Sequence, residues 1–349
     1  MADPTSQHAG HPPHQAATGA TGATTPPGRV DPSLYLHPQT LSRLGSFELR
    51  AKMIIEGVMS GQHRSPYAGV SVEFAQHRGY TAGDDLRHLD WKVFARTDRL
   101  QVKQYQQETN LDLVVLVDSS GSMNFGTRSF ASASGDGHAS HPSGRTFWSK
   151  FDHATGFAAA LGYVTIHQGD RVGMGTFADE LLAEVNRSSN RGTWRKIVEL
   201  LSRHPVDTPT DFGRVTDQVI GKLNNRCLIV ILSDFFEDPE TIRAGMARLR
   251  HRGHDVIAFQ ILDPAERDLN FDEAAPFIGL EGEPQLKVDP RAIRESYAKI
   301  MAEHIDKVGA ACRAFGFDHE VVNTSDQLGP PLASFIAKRN AAMKRSKFG

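Results

Sequence analysis

The sequence predicts an α/β fold: a doubly wound, mainly parallel sheet with a small β-rich N-terminal extension. Three observations lead there. Leu111–Val117 is a short run rich in Val and Leu, the pattern of a strand buried on both faces, and it stops abruptly at Asp118. Leu228–Leu232 repeats the theme and stops at Ser233-Asp234. Between residues 111 and 343 such runs alternate with helical patterns, the rhythm of stacked βαβ units.

Taken in order, residues 1–40 are rich in Ala, Gly, Thr, Pro and His, with almost no large aliphatics before Leu34. Such a stretch cannot bury enough surface to offset its ordering entropy, so it is expected to be a disordered tail, with His8, His11 and His14 solvated. Residues 41–109 form the extension. In Leu41–Gly61 the apolar residues Leu41, Leu44, Leu49, Met53, Ile54 and Val58 fall near a helical period. Then Val70, Val72 and Phe74 alternate, Gly79–Asp85 holds turn signals, and Leu100 and Val102 open a second strand-like run.

Residues 110–343 carry the main domain. After the first strand, Asn124–Gly144 is a Ser/Gly/His-rich insertion, longer than a strand-to-helix turn requires, and holds His138 and His141. Phe147–Gln168 is an amphipathic helix with small residues on one face. Arg171–Ala178 reads as a strand, Leu181–Val185 as an edge strand and Gly192–Ser202 as a helix. Pro239–Arg252 follows as a helix and Asp255–Leu262 as a buried strand. Leu269–Val288 is a hairpin insertion, and Ile293 to Phe315 form a long helix whose apolar stripe includes His304. Phe317–Val322 and Gln327–Met343 are the last strand and helix. The basic end (Lys338, Arg339, Lys344, Arg345, Lys347) suits a helix C-terminus.

Composition narrows the function classes. Of 349 residues, 39% are hydrophobic and 23% charged, enough for a sizeable core. A net charge of −2 gives no reason to expect nucleic acid as a partner. No run of about 18 apolar residues marks a membrane span, and no basic-then-apolar leader opens the chain, so a cytoplasmic protein is expected. Cys227 and Cys312 are too far apart for a metal motif and are expected to be buried thiols.

The chemistry concentrates at the ends of the two apolar runs. Asp118 is followed by Ser119, Ser120 and Ser122, so a buried strand delivers one carboxylate and a group of hydroxyls to its C-terminal end, where open α/β sheets bind ligands. Such hard oxygen donors suit Mg²⁺, with Mn²⁺ or Ca²⁺ as alternatives. Asp234 ends the second run. Two carboxylates at neighbouring strand ends repel unless a cation lies between them.

The D-x-S-x-S string at Asp118, Ser120 and Ser122 resembles the metal-ion-dependent adhesion site of von Willebrand factor A domains. There a partner's carboxylate completes the metal's coordination. The resemblance implies a threonine ligand from a loop before a helix, which Thr210 matches, with Thr208 competing; Thr210-Asp211 reads equally well as a helix N-cap pair. It also implies Asp234 as the last acidic ligand, although Phe235 stands where the wider fold often has glycine. A second string, S-x-E-F-x-x-x-R-x-Y-x-x-G-D-D-x-R-x-x-D-W from Ser71 to Trp91, with Ala95–Thr97, Val102–Lys103 and Glu108, is similar to the signature of the DUF58 family. In that string Gly83-Asp84-Asp85 reads as a turn, with Arg78, Arg87 and Lys92 as ion-pair partners.

The resemblance implies an adaptor: a Mg²⁺-dependent interaction module using Asp118, Ser120, Ser122, Thr210 and Asp234. Its implied partner is a MoxR-class AAA+ ATPase or that ATPase's client, in a system that assembles or activates other proteins. The alternative is a hydrolase, either metal-assisted or with Ser120 or Ser122 as nucleophile. The sequence shows neither a G-x-S-x-G elbow nor an evident histidine partner, so no enzyme activity is expected. Glu237 and Asp238 are read as complementing the following helix N-terminus.

Overall fold

The computed structural model describes residues 41, 47–62, 74–81, 89–105, 112–129, 147–203, 205–271, 275–277, 279–282 and 284–335. The tail histidines, the Gly83-Asp84-Asp85 turn with Arg87, His138 and His141, and the basic C-terminal run lie outside the described residues.

In the extension, helix α1 (Phe47–Gln62) precedes strand β1 (Phe74–Gly79), helix α2 (Trp91–Thr97) and strand β2 (Gln101–Tyr105). β1 and β2 pair antiparallel. The helix between them goes beyond the β-rich expectation. It is started by Asp90, whose carboxylate accepts from the Lys92 and Val93 amides at 3.0 and 3.2 Å, as an N-cap does.

The main sheet is built from β3 (Asp112–Asp118), β6 (Arg171–Phe177), β7 (Leu181–Ser188), β8 (Leu228–Ser233), β9 (Asp255–Leu262) and β12 (Asp318–Asn323). Two short antiparallel pairs complete the strands: β4 (Arg128–Ser129) with β5 (Phe147–Trp148), and β10 (Ala275–Phe277) with β11 (Leu286–Val288). The remaining labelled helices are α3 (Lys150–His167), α4 (Thr193–Leu201), α5 (Phe212–Lys222), α6 (Pro239–His251), α7 (Pro264–Asp268) and α8 (Pro290–Ala314).

The sheet order is β12-β9-β8-β3-β6-β7, all parallel except the antiparallel edge strand β7. Relabelled by appearance in the sheet, that is 6-5-4-1-2-3, the doubly wound order. It is the architecture that the likeness to von Willebrand factor A domains implies. The strand order changes sense between β3 and β8, which run parallel, so their C-terminal ends form the switch point where such sheets bind ligands.

β3 shows why the sheet sits inside. Leu113, Val115 and Val117 enter one apolar layer with α1, α3 and α4, whereas Val114 and Leu116 enter the other with α5, α6 and α8. Burying such a side chain contributes about 1.5–3 kcal/mol. Five of them outweigh the several kcal/mol that burying the neighbouring carboxylate of Asp118 costs.

Two boundaries differ from the periodicity. The expected helix from Phe147 starts only at Lys150, because Ser149 caps it: the Ser149 hydroxyl accepts from the Asp152 amide, and Asp152 accepts from the Ser149 amide, both at 3.1 Å. Phe147 and Trp148 are strand. The final helix is helical over 329–335, and its remainder lies outside the described residues. Cys227 and Cys312 are buried free thiols.

Candidate metal centre

Asp118 closes β3 with its side chain fully buried. The parallel register puts Val117 opposite Leu232, so Ser233 of β8 stands beside Asp118. Its hydroxyl donates to Asp118 Oδ2 at 2.5 Å. The Ser120 amide donates to Asp118 Oδ1 at 2.9 Å, which folds the following loop back over the carboxylate. Within that loop the hydroxyls of Ser120 and Ser122 lie 3.1 Å apart.

A second loop is tied to the first through the backbone. Val206 N donates to Ser119 O at 2.8 Å, and Gly121 N to Thr208 O at 3.1 Å. This places Thr210, whose hydroxyl reaches both Asp118 carboxylate oxygens at 3.2 and 3.3 Å. The two readings of Thr210-Asp211 therefore divide between the residues. Asp211 caps α5 by accepting from the Arg214 amide at 2.8 Å, and Thr210 is left to face Asp118. Thr208 has a buried hydroxyl with no hydrogen-bond partner among the described residues.

Asp234 follows β8 and is also buried. Its Oδ2 accepts from Lys150 Nζ at 2.7 Å, and the same ammonium reaches Glu266 Oε1 at 2.8 Å. Lys150 is fully buried, with the Phe236 ring centroid 4.5 Å from its nitrogen. The cation that two strand-end carboxylates demand is thus partly supplied by the chain itself, to Asp234. Burial works against the Lys150 charge, yet the facing Asp234 and Glu266 hold its pKa above the ordinary lysine value. Held protonated, this amine is no general base.

Asp118 is different. Burial, and then the neighbouring Asp234, push its carboxyl up to about 7, although the bonds from Ser233 and Ser120 act the other way. Burial likewise raises Glu266 to about 7, against the pull of Lys150. The oxygen set around Asp118, one carboxylate and the hydroxyls of Ser120, Ser122 and Thr210, fits a small hard cation that keeps several waters. Among the described residues no group of three His, Cys, Asp or Glu offers a different kind of metal cluster.

Phe235 adopts a left-handed backbone at φ 55°, the conformation that a glycine would take without strain. Burial of its ring against Phe212, with centroids 5.9 Å apart, offsets the cost. Its carbonyl accepts from His304 Nε2 at 2.8 Å, so His304 is half-buried and bonded to the loop rather than sealed in the core. Glu237 caps α5 by accepting from the Phe212 amide at 3.0 Å, whereas Asp238 caps α6, the helix that follows it.

Sequence reasoning missed four neighbours of this centre: Ser233, Lys150, Glu266 and Glu281, the last accepting from the Ser122 amide at 2.8 Å. Lys150 carried a readable signal. A lysine in the first turn of a helix opposes the helix dipole, so its presence there calls for a carboxylate partner. Glu281 carried none, because only the tertiary fold brings its hairpin to Ser122.

The family described as protein of unknown function DUF58 matches residues 76–307. Uncharacterized proteins of Mycobacterium tuberculosis and Mycobacterium bovis are each 26% identical over 313 residues, covering 86% of this chain and 90% of their own. Among solved structures, the conserved hypothetical protein BatB from Bacteroides thetaiotaomicron aligns over 65% of this chain and 98% of its own, at 16% identity and a TM-score of 0.38. The SpRpn10 VWA domain aligns over 63% and 92%, at 12% identity and a TM-score of 0.34.

Proposed function

We propose, from the premise that the chain belongs to the DUF58 family, that it is a protein-interaction module whose docking depends on a divalent cation. The observation that carries this reading is the convergence on buried Asp118 of hydroxyls from three separate segments, Thr210, Ser233 and Ser120, the last 3.1 Å from the Ser122 hydroxyl. Asp118, Ser120, Ser122 and Thr210 would hold Mg²⁺, directly or through water, with Asp234 acting from behind its bond to Lys150. A bound Mg²⁺ with mostly neutral protein donors would supply an electrophilic centre that draws an anionic ligand. A carboxylate from a partner protein meets that need.

The residues themselves do the selecting. The Ser120 and Thr210 bonds fix the Asp118 carboxylate, and Lys150 removes the charge of Asp234 from competition. The role is binding rather than catalysis: hydroxyls outnumber carboxylates, and Lys150 is held protonated. The family resemblance supplies the candidate partner, a MoxR-class AAA+ ATPase or its client.

Capture from native lysate by wild type and Asp118→Ala, each with Mg²⁺ and with chelator, tests this. Retention of an AAA+ ATPase by wild type with Mg²⁺ alone is the expected result. Equal retention under all four conditions would place the interface elsewhere.

A further inference from the structure

The geometry points to a second binding site, for a small amphipathic carboxylate, in the cavity that α5 roofs over β6 and β7. The cavity holds about 280 Å³, near the lower end of the roughly 300–1,000 Å³ of small-molecule sites. It lies away from Asp118. The cavity residue Arg187 is bonded to Asp112, which opens β3, whereas Asp118 closes that strand about 20 Å further on.

The walls are apolar and the floor carries little. In the parallel register Gly173 stands beside Val114 and Gly175 beside Leu116. Both glycines line the cavity and bring no side chain to fill it, while buried Val114, Leu116 and Val219 supply its apolar surface. Glycine inside a strand weakens it and marks a place where another group comes close to the sheet. At Gly173 that group is Arg187, whose Cγ would lie only 2.8 Å from an added Cβ.

A bulge delivers the arginine. Val172 pairs with Ser188 and Met174 with Val185, so β7 advances three residues while β6 advances two. Ala183 and Val185 pack on the layer that holds α3 and α4, and regular alternation would send residue 187 the same way. The extra residue turns Arg187 to the opposite face. There its Nη1 donates to Asp112 Oδ2 at 2.9 Å and to Cys227 Sγ at 3.0 Å.

Asp112 does not use up this charge. Arg171 Nη1 also faces it, at 3.3 Å from Oδ1, so two guanidinium groups share one carboxylate. Among the described residues Arg187 Nε and Nη2 have no hydrogen-bond partner, although the side chain is only 17% exposed. That free edge is the fork that takes a carboxylate through two parallel bonds. The rim favours a single negative charge. Lys222 is already bonded to Glu184 at 2.8 Å, and the Glu184 carboxylate repels a dianion such as phosphate more than a monoanion. The apolar walls take the tail.

Octanoate is the probe and octanol its neutral counterpart, titrated into the full chain with chelator present, so that the metal centre does not enter the result. Methyl resonances of Val114, Leu116, Val219 and Leu223 report the cavity; those of Leu161 and Leu328 report the other apolar layer. Octanoate should shift the first set saturably and leave the second in place. Octanol should bind about tenfold more weakly, and Arg187→Gln should bring octanoate down to the octanol level. Arg171 remains to neutralise Asp112 in that variant, and a urea midpoint checks that it folds. The comparison of the two probes in wild type needs no variant. Octanoate that leaves the cavity methyls unmoved, or octanol that binds as tightly as octanoate, would overturn the proposal. So would a folded Arg187→Gln with wild-type affinity.

Discussion

The Lys150 ammonium lies 2.7 Å from the Asp234 carboxylate, and both side chains are sealed from solvent. Removing one partner of such a pair strands a buried charge. Lys150→Met, close in length but neutral, should destabilise the protein by about 3–5 kcal/mol, read from urea unfolding with chelator present. With Mg²⁺ in excess the loss should shrink, since the ion takes over part of the compensation. A variant as stable as wild type would show that Asp234 and Glu266 do not need this cation.

Asp118 faces the opposite situation. Its carboxylate is buried beside Asp234 and receives only hydroxyl and amide donors in the bonds described. Asp118→Asn keeps the shape and removes the charge, so with chelator it should melt at a higher temperature than wild type. Adding Mg²⁺ should reverse the order by stabilising wild type alone. Asp118→Ala should weaken Mg²⁺ binding by more than the roughly 10–100-fold that changes outside the ligand shell cost. Calorimetric titration showing normal affinity in that variant would remove Asp118 from the site.

His153 gives a pH dependence with a definite sign. Burial lowers its pKa from 6.5 to about 4, against the weaker upward pull of Asp326 and Asp152. The native state keeps the ring neutral, while the unfolded chain takes up a proton as pH falls through 6.5. Its contribution is complete above that value and is lost as pH drops toward 4. By pH 5 the loss should reach about 2 kcal/mol. Comparing wild type with His153→Gln by urea midpoints from pH 7.5 to 5 isolates this effect; parallel curves would show that the ring titrates normally.

Gly121→Ala tests the approach of the hairpin. The added methyl meets the Leu280 carbonyl and Glu281 Cγ, so the segment must shift at a cost of about 1–3 kcal/mol. Hydrogen exchange should quicken at the Ser122 amide and within residues 275–288, while β3 and β8 keep their protection. Unchanged exchange there would mean that the hairpin does not rest on the loop.

The sheet was readable because its signal is local. A strand such as Leu113–Val117, apolar on both faces, has few other places to go, and its abrupt end at Asp118 marks the switch point. The Ser120 and Ser122 hydroxyls follow within one turn, and Thr210 lies close before a helix, so these too could be read along the chain. Lys150 reaches Asp234 from 84 residues away and Glu266 reaches Lys150 from 116, while Glu281 meets Ser122 from a hairpin. Their roles follow from strand order and loop packing, which no periodicity encodes. The start of α3 was misjudged for a related reason: apolar spacing continues through Phe147, but the Ser149 cap decides where the helix begins.

Helix α1 stands outside the sheet in sequence and inside it in space. Phe47, Ala51 and Ile54 share the apolar layer with α3, and Arg50, 4% exposed, bonds Asp152 at 2.9 Å. Asp152 in turn holds the Ser149 cap, one residue before Lys150. The sheet is therefore not a portable cassette. A fragment begun at residue 111 would open a greasy furrow along α3 and leave Asp152 without its guanidinium, two residues from the lysine that serves Asp234. Recombination that shuffled the sheet without its leading helix would loosen the start of α3 and with it the placement of Lys150 beside Asp234.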